Sequence, residues 1–452
     1  MFINPFLYRS VMKIVFISLG CDKNLVDTEM MLGMLAEKGY SFTDNEDEAD
    51  IAVVNTCCFI NDAKEESINA LIALGEKKKA GTLKGIIAAG CLAQRYAKEI
   101  REDIPEVDAI VGTNAFDKIA EAIDSVVRKE QPDFLRDINA APVSGKKRIM
   151  TTGGHYAYLK IAEGCDKHCT YCIIPKVRGN YRSVPMETLL QEAKTLAAEG
   201  VRELILVAQE TTLYGVDLYG EKSLPMLLRK LCEIPGLYWI RILYCYPEEI
   251  TEELISVIRD EKKICHYLDI PIQHASDGIL KRMGRKTSNA DLRNIIGRLR
   301  EEIPDICLRT TLIAGFPGET ENDHIETCEF INEMEFDRLG VFTYSPEENT
   351  PAAGFPDQID EALKTEWQAD IMELQQEIAF DKAADMTGKE IYVMIEGKVA
   401  DENTYVGRTY KDAPNVDGMI FINTEEELMS GDFVKVKVTA SYEYDLIGEI
   451  IK

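Results

Sequence analysis

The chain has no long apolar run and no surplus of basic charge, and each absence removes a class of function. Nowhere in its 452 residues does an uncharged apolar stretch approach the length of a membrane-spanning helix, about 20 residues. The first residues, interrupted by Asn4, Pro5 and Arg9, lack the apolar core and small-residue cleavage site of a secretory leader. A cytoplasmic protein with no membrane attachment is expected. Met12 directly precedes the first strand-like run, so residues 1–11 read as an extension or a mis-assigned start. Lys and Arg number 51 against 78 Asp and Glu, a formal net charge of −27. Grip on a nucleic-acid backbone draws on counterion release and normally needs a basic face. This balance argues against strong nucleic-acid binding and suits a basic protein partner. No low-complexity tract or strong internal repeat is present.

What the chain does have is cysteine, 12 in all. Without an export signal, metal or redox chemistry is a better reading than a disulfide framework. Cys165, Cys169 and Cys172 stand in Glu-Gly-Cys-Asp-Lys-His-Cys-Thr-Tyr-Cys, a C-x3-C-x2-C run. Soft thiolates suit iron–sulfur clusters and zinc. A four-iron cluster takes one ligand per iron, so three cysteines leave one iron open to a substrate or cofactor. The alternative is structural zinc with His168 as fourth ligand. His168 adjoins Cys169 and is poorly spaced for joint chelation, and structural zinc favours paired CxxC or HxxxH units.

The pattern of strands and helices gives three segments of an α/β multidomain protein. Residues 12–145 alternate strand and helix, with strands at Lys13–Leu19, Ile51–Thr56, Gly85–Ala89 and Ala109–Val111. That predicts a Rossmann- or flavodoxin-like parallel sheet covered on both faces. The Pro- and Gly-containing stretch 131–154 reads as a linker. Residues 146–386 carry six strand–helix units, an incomplete (β/α)6 version of the eight-unit TIM-type barrel. Residues 387–452 show short strands separated by Gly, Asp and Asn, the rhythm of a small antiparallel β-barrel.

A second cysteine set lies in the first segment. Cys21, Cys57 and Cys91 each sit just past the C-terminal end of a predicted parallel strand. Such ends share one sheet edge, where ligands gather in α/β folds. Three buried core cysteines are the plainer alternative, but identical placement on three strands speaks against it. A second three-ligand cluster is therefore expected, with Cys58 a spare thiol beside Cys57. Cys232, Cys245, Cys265, Cys307 and Cys328 share no spacing and read as core. Weaker cofactor-contact candidates are Tyr171, between two ligands; Gln209, ending the second barrel strand; and Gly315, following the fifth. Each reads equally as packing or an ordinary strand-to-helix turn. Gln273 and His274 are similar lip residues. Arg178 and Arg182 read as binders of an acidic group or as a solvated loop.

On these residues the chain resembles the radical S-adenosylmethionine enzymes, whose signature is C-x3-C-x2-C. The added N-terminal triad narrows the likeness to the methylthiotransferases. Ser18–Asp27, Glu163–Pro175 and Arg178–Ser183 are similar to the RimO type, which modifies ribosomal protein S-twelve. The last segment resembles a TRAM domain. One departure is Cys58, where the family commonly has glycine.

The resemblance implies two [4Fe-4S] clusters, one on Cys165, Cys169 and Cys172 and one on Cys21, Cys57 and Cys91. It implies two S-adenosylmethionine molecules per turnover: one methylates a sulfur, the other yields a radical that activates an aspartate β-carbon of S-twelve. An electron donor and a sulfur source are implied partners. The alternative within the family is a tRNA adenosine methylthiotransferase. From Gly388 to Lys452 there are 7 basic and 13 acidic residues, a balance that favours a basic protein over RNA. An electron-transfer protein is the alternative from another class, but such carriers normally ligate every iron.

Overall fold

The computed structural model describes residues 12–400 and 402–451; the expectation for residues 1–11 lies outside them. Apolar and β-branched runs form the first sheet. Its strands are β1 (Lys13–Ser18), β2 (Ser41–Phe42), β3 (Ile51–Thr56), β4 (Gly85–Ala89), β5 (Ala109–Val111) and β6 (Asp133–Phe134). They lie in the order β2-β1-β3-β4-β5-β6, and every pairing is parallel. Each residue of β3 and β4 is buried, as a parallel sheet covered on both faces requires. The chain leaves β1 to one side and returns on the other, so the β1/β3 boundary is a topological switch point. Ligands of open α/β sheets bind in that crevice, past the strands' C-terminal ends.

The stretch expected to be a linker is tied down instead. Asp133–Phe134 adds the edge strand β6. Arg148 pairs with the buried Glu29, whose other oxygen accepts from the Thr151 backbone at 2.7 Å and hydroxyl at 2.9 Å. A buried carboxylate needs such partners, and Pro and Gly content cannot reveal them.

The second sheet contains β7 (Tyr156–Lys160), β10 (Glu203–Val207), β11 (Trp239–Ile242), β12 (Ile264–Asp269), β13 (Cys307–Ala314) and β14 (Arg338–Thr343). Two further short strands, β8 (Ala162–Glu163) and β9 (Arg182–Ser183), pair with each other. The sheet order is β14-β13-β12-β11-β10-β7, an open row of six. The helix Glu361–Ala384 follows β14 and fastens to it: Gln368 donates to the Val341 carbonyl at 2.7 Å.

The terminal strands β15 (Glu390–Lys398), β16 (Thr404–Thr409), β17 (Ile420–Asn423), β18 (Phe433–Tyr442) and β19 (Asp445–Ile450) close as β15-β16-β17-β19-β18. Val393, Ile395, Ile420, Ile422, Val436 and Val438 fill this barrel. Four pairings are antiparallel and β17·β19 is parallel. A closed ring of five cannot alternate direction throughout, so one parallel pair is unavoidable.

Contacts divide the chain into two compact units. One holds residues through Thr151 with Lys160–His168 and Cys172–Leu189; the other holds Thr152–Leu159, Cys169–Tyr171 and everything from Leu190. Within the second unit, the terminal barrel is locked to the six-stranded sheet by buried charge. Glu203 takes Arg241 on one oxygen and Arg408 on the other, both at 2.7 Å. Arg408 also reaches Glu396 at 2.7 Å, whose second oxygen lies 2.8 Å from His155. Burial opposes ionisation of Glu203, but Arg408 and Arg241 hold its carboxyl below the usual range. No helix among the described residues is long and apolar enough to cross a membrane.

Arg408→Ala strands the fully buried Glu203 with half its partners. Breaking a buried pair from one side costs about 3–5 kcal/mol, so a comparable loss is expected in urea titrations monitored by circular dichroism. An unchanged midpoint would refute this role of the network.

Candidate functional site

Three cysteines end three neighbouring strands of the first sheet. Cys21 follows β1 and caps the helix Asp22–Glu37 in an extended conformation. Cys57 follows β3, and its backbone N–H is held by the Ser67 hydroxyl at 2.9 Å. Cys91 follows β4 inside the short helix Gly90–Arg95. Because β1, β3 and β4 are adjacent and parallel, their C-terminal ends bring residues 21, 57 and 91 to one edge. Cys21 is exposed while Cys57 and Cys91 are buried. Two glycines make the approach possible. At Gly20 (φ +86°) a Cβ would meet the Cys57 Cβ at 2.6 Å and its Sγ at 2.8 Å; at Gly90 (φ +88°) it would meet the Thr56 carbonyl at 2.7 Å.

Positive charge sits beside this edge. Arg178, 2% exposed, donates to Asp27 at 3.0 Å, to both Glu163 oxygens at 3.0 Å, and to the Asn24 side-chain oxygen. That Asn24 oxygen lies 3.8 Å from the Cys91 sulfur. The other end of the Asn24 amide donates to the carbonyls of Leu19 at 2.9 Å and Thr56 at 3.1 Å, tying the ends of β1 and β3 together. Lys160 completes the cluster on Asp27 and on Glu163 at 2.8 Å. Burial raises the Cys57 thiol, with Cys21 adding to it; burial raises Cys91 too, with Arg178 pulling the other way. Arg178 is therefore an internal clamp rather than an open anion binder. Arg182 likewise gives its donors to the carbonyls of Asn180, Ala140 and Arg178.

The C-x3-C-x2-C loop follows β8. The Cys165 N–H donates to the Gly179 carbonyl at 3.1 Å, and Asp166 accepts from the Tyr181 N–H at 3.0 Å. The Arg178–Ser183 segment thus backs the first ligand. Gly164 (φ +80°) leaves no room for a Cβ against the Asn180 and Gly179 carbonyls. In the second unit, Thr170 is pinned by the carbonyls of Met283 at 2.9 Å and Arg282 at 2.8 Å. The Cys169 sulfur lies 3.7 Å from the Tyr246 hydroxyl.

The other candidates are placed as follows. Tyr171 packs edge-on against Phe316 with centroids 6.4 Å apart. Gln209 lies two residues past β10, half-buried. Gly315 (φ +73°) has the Lys364 side chain where its own would be, so its freedom serves close packing of that buried lysine. Gln273 joins β13 through its backbone, and buried His274 accepts from the Ser276 N–H at 3.0 Å. Sequence reasoning missed Asn24, Lys160 and Tyr246; no periodicity or spacing marks them. Among the described residues no three His, Cys, Asp or Glu close on a point that would hold a single ion. A four-iron cube bonds each thiolate to a different iron, so its ligands stand further apart than those of one ion. Three thiols on one edge, with a buried cation beside them, fit an anionic cluster of that kind.

A six-stranded sheet with a cysteine loop following its first strand in the chain, preceded by a cysteine-edged sheet and followed by a small barrel, defines a radical S-adenosylmethionine protein with two added domains. Family models match accordingly: the Radical SAM superfamily at residues 159–331, the uncharacterized protein family UPF0004 at 13–112 and the TRAM domain at 387–451. The chain is 62% identical over 437 residues to the ribosomal protein uS12 methylthiotransferase RimO of Lachnoclostridium phytofermentans, covering 97% of this chain and 99% of that one. It is 49% identical to the protein of that name from Acetivibrio thermocellus, over 97% and 98% of the two chains. The chain belongs to the RimO methylthiotransferase family. Among solved structures, the radical S-adenosylmethionine methyltransferase TsrM from Kitasatospora setae, with cobalamin and a [4Fe-4S] cluster, shares the fold. Its TM-score is 0.53 at 14% identity, over 76% of this chain and 77% of that one.

The glycine geometry is testable by contrast. Gly20→Ala forces an αL strain of about 1–3 kcal/mol and drives a methyl group into Cys57. Gly39 has a similar φ of +81° but nothing within 4 Å of its Cβ position. After anaerobic reconstitution, Gly20→Ala is expected to lose iron and Gly39→Ala to retain it; equal iron contents would refute the close approach.

Proposed function

We propose that the chain attaches a methylthio group to the β-carbon of an aspartate in ribosomal protein S-twelve. The observation that carries this reading is near-full-length identity to relatives named for that activity. The acidic terminal segment, 13 acidic residues against 7 basic, supports a basic protein as substrate over tRNA adenosine.

Cys165, Cys169 and Cys172 would hold one [4Fe-4S] cluster and Cys21, Cys57 and Cys91 a second. When bound, the clusters and S-adenosylmethionine supply electron transfer, the radical and the transferred sulfur. The chain's own part is to position and shield. Burial of Cys57 and Cys91 shields the edge of the first sheet, and Cys165 and Cys169 are buried as well. Arg178 favours thiolate at Cys91, and Asn24 holds two strand ends in register. Tyr171, Gln209 and Gly315 are the proposed cofactor contacts, on strand-end loops where the fold gathers its chemistry. An electron donor and a sulfur source complete the reaction, which runs in the cytoplasm.

The test is mass spectrometry of S-twelve and of tRNA from a deletion strain. Loss of the methylthio group from the protein, with tRNA intact, is expected; the reverse overturns the substrate. For the purified enzyme, about eight irons per chain are expected, four per cluster. Cys165→Ala should abolish reductive cleavage of S-adenosylmethionine. Cys91→Ala should impair transfer while leaving some unproductive cleavage, and undiminished product would remove Cys91 from its role.

A further inference from the structure

In a chain with 78 acidic residues, residues 278–290 hold none. The same stretch carries four basic residues, Lys281, Arg282, Arg285 and Lys286. Arg285 is buried, whereas Lys281 and Lys286 are exposed and the Arg282 side chain is 39% exposed. Neither exposed lysine forms an ion pair among the described residues. Arg282 reaches Asp357 at 3.4 Å.

This stretch braces the cysteine loop. The carbonyls of Arg282 and Met283 hold the Thr170 hydroxyl at 2.8 Å and its N–H at 2.9 Å, and Thr170 adjoins Cys169. Side chains make a second link. The Arg282 guanidinium lies 5.3 Å from the centre of the Phe355 ring. Phe355 packs edge-on against Phe316 with centroids 6.2 Å apart, and Phe316 packs against Tyr171 at 6.4 Å. Tyr171 stands between Cys169 and Cys172. Phe316 is buried and Phe355 half-buried, so a packed row of rings leads from the cationic surface to the ligand loop.

Electron tunnelling weakens steeply with distance and across voids. A protein donor therefore has to dock where packed atoms bring its own centre near the cluster. The face must also attract it. A net charge of −27 repels an acidic protein as a whole, and a local cationic face is where one can land. The same face turns away a basic substrate protein, which sorts the two partners to different surfaces. Three accessible cations in one short stretch are a small footprint for an RNA backbone but enough to set the on-rate of a protein pair.

We propose that Lys281, Arg282 and Lys286 form the docking face for the electron donor, an acidic one-electron carrier protein. This rests on the cluster ligands proposed above. One electron leaves the donor's reduced centre and enters the cluster of the C-x3-C-x2-C loop. The donor is oxidised by one electron, the cluster is reduced by one, and no bond forms or breaks.

The test uses full-length, anaerobically reconstituted protein carrying Lys281→Glu with Lys286→Glu. A control pair, Lys230→Glu with Lys262→Glu, makes the same charge change at exposed lysines that precede β11 and β12. The probe is a purified acidic flavodoxin. Its binding is read by fluorescence anisotropy, and cluster reduction by its hydroquinone by stopped-flow absorbance, from low to high salt. Reduced methyl viologen, a small cation that needs no docking face, is the reference reductant. The first pair is expected to weaken flavodoxin binding and slow its reduction of the cluster by about tenfold or more at low salt, with the difference shrinking as salt rises. Iron content should match wild type, reduction by methyl viologen should not slow, and the control pair should bind flavodoxin as wild type does. Equal loss in both pairs, or wild-type binding in the first, overturns the docking face. So does a loss confined to binding of a ribosomal RNA oligonucleotide. Should the first pair fail to load iron, Lys281→Gln and the salt dependence of the wild type decide: flavodoxin binding that ignores both overturns the proposal. Wild-type protein that flavodoxin reduces in a salt-dependent way but that never thiolates S-twelve would refute the proposed substrate alone.

Discussion

The first unit depends on one buried guanidinium. Arg178 holds Asn24 and Asp27, on the helix that begins after Cys21, and Glu163, two residues before Cys165. The carbonyl of the next residue, Gly179, holds the Cys165 N–H. One side chain and its neighbour therefore tie a ligand loop of each cysteine set to the same point. With Lys160 the cluster has two cations and two carboxylates, so it is neutral as a whole, which limits the cost of burying it. Glu163 is held down at about 2: burial opposes its charge, but Arg178 and Lys160 outweigh that. With Glu163 lowered and Lys160 and Arg178 raised, these three groups stay charged across the physiological range and anchor the loops there.

The second unit separates stability from chemistry along its strands. At the N-terminal end of β10, Glu203 joins Arg241 and Arg408 and fixes the terminal barrel. Beyond the C-terminal ends lie Gln209, Tyr246 and the left-handed Gly315. In parallel α/β barrels the C-terminal end carries reactions and the opposite end carries stability. The paired arginines follow that rule, since they face carboxylates from neighbouring elements rather than a ligand cavity.

Much of this was legible in sequence because it follows from local rules. Runs such as Ile51–Val54 and Gly85–Ala89 are apolar throughout, as strands of a doubly covered parallel sheet are. Once those strands are parallel, the three cysteines after them must share an edge. The two-residue strands β2 and β6 were not legible, because pairs as short as Ser41–Phe42 have no period. The fixing of residues 131–154 was hidden for another reason: Arg148 finds Glu29 across 119 positions. Arg178 reads in sequence as a binder of an acidic group or as part of a solvated loop, and the structure makes it an internal clamp instead. Its partners Asp27 and Glu163 come from distant turns, and no spacing records that convergence.

The net charge of −27 takes on a sharper meaning once the cations are located. Several lie inside the protein: Arg148, Arg178, Arg241 and Arg408 are buried against carboxylates, and Lys364 against the Tyr344 carbonyl and Glu361. Their charge is neutralised internally, together with that of their carboxylates, and the field outside follows the remaining excess of acidic over basic residues. A surface of that sign repels phosphate backbones and steers basic partners.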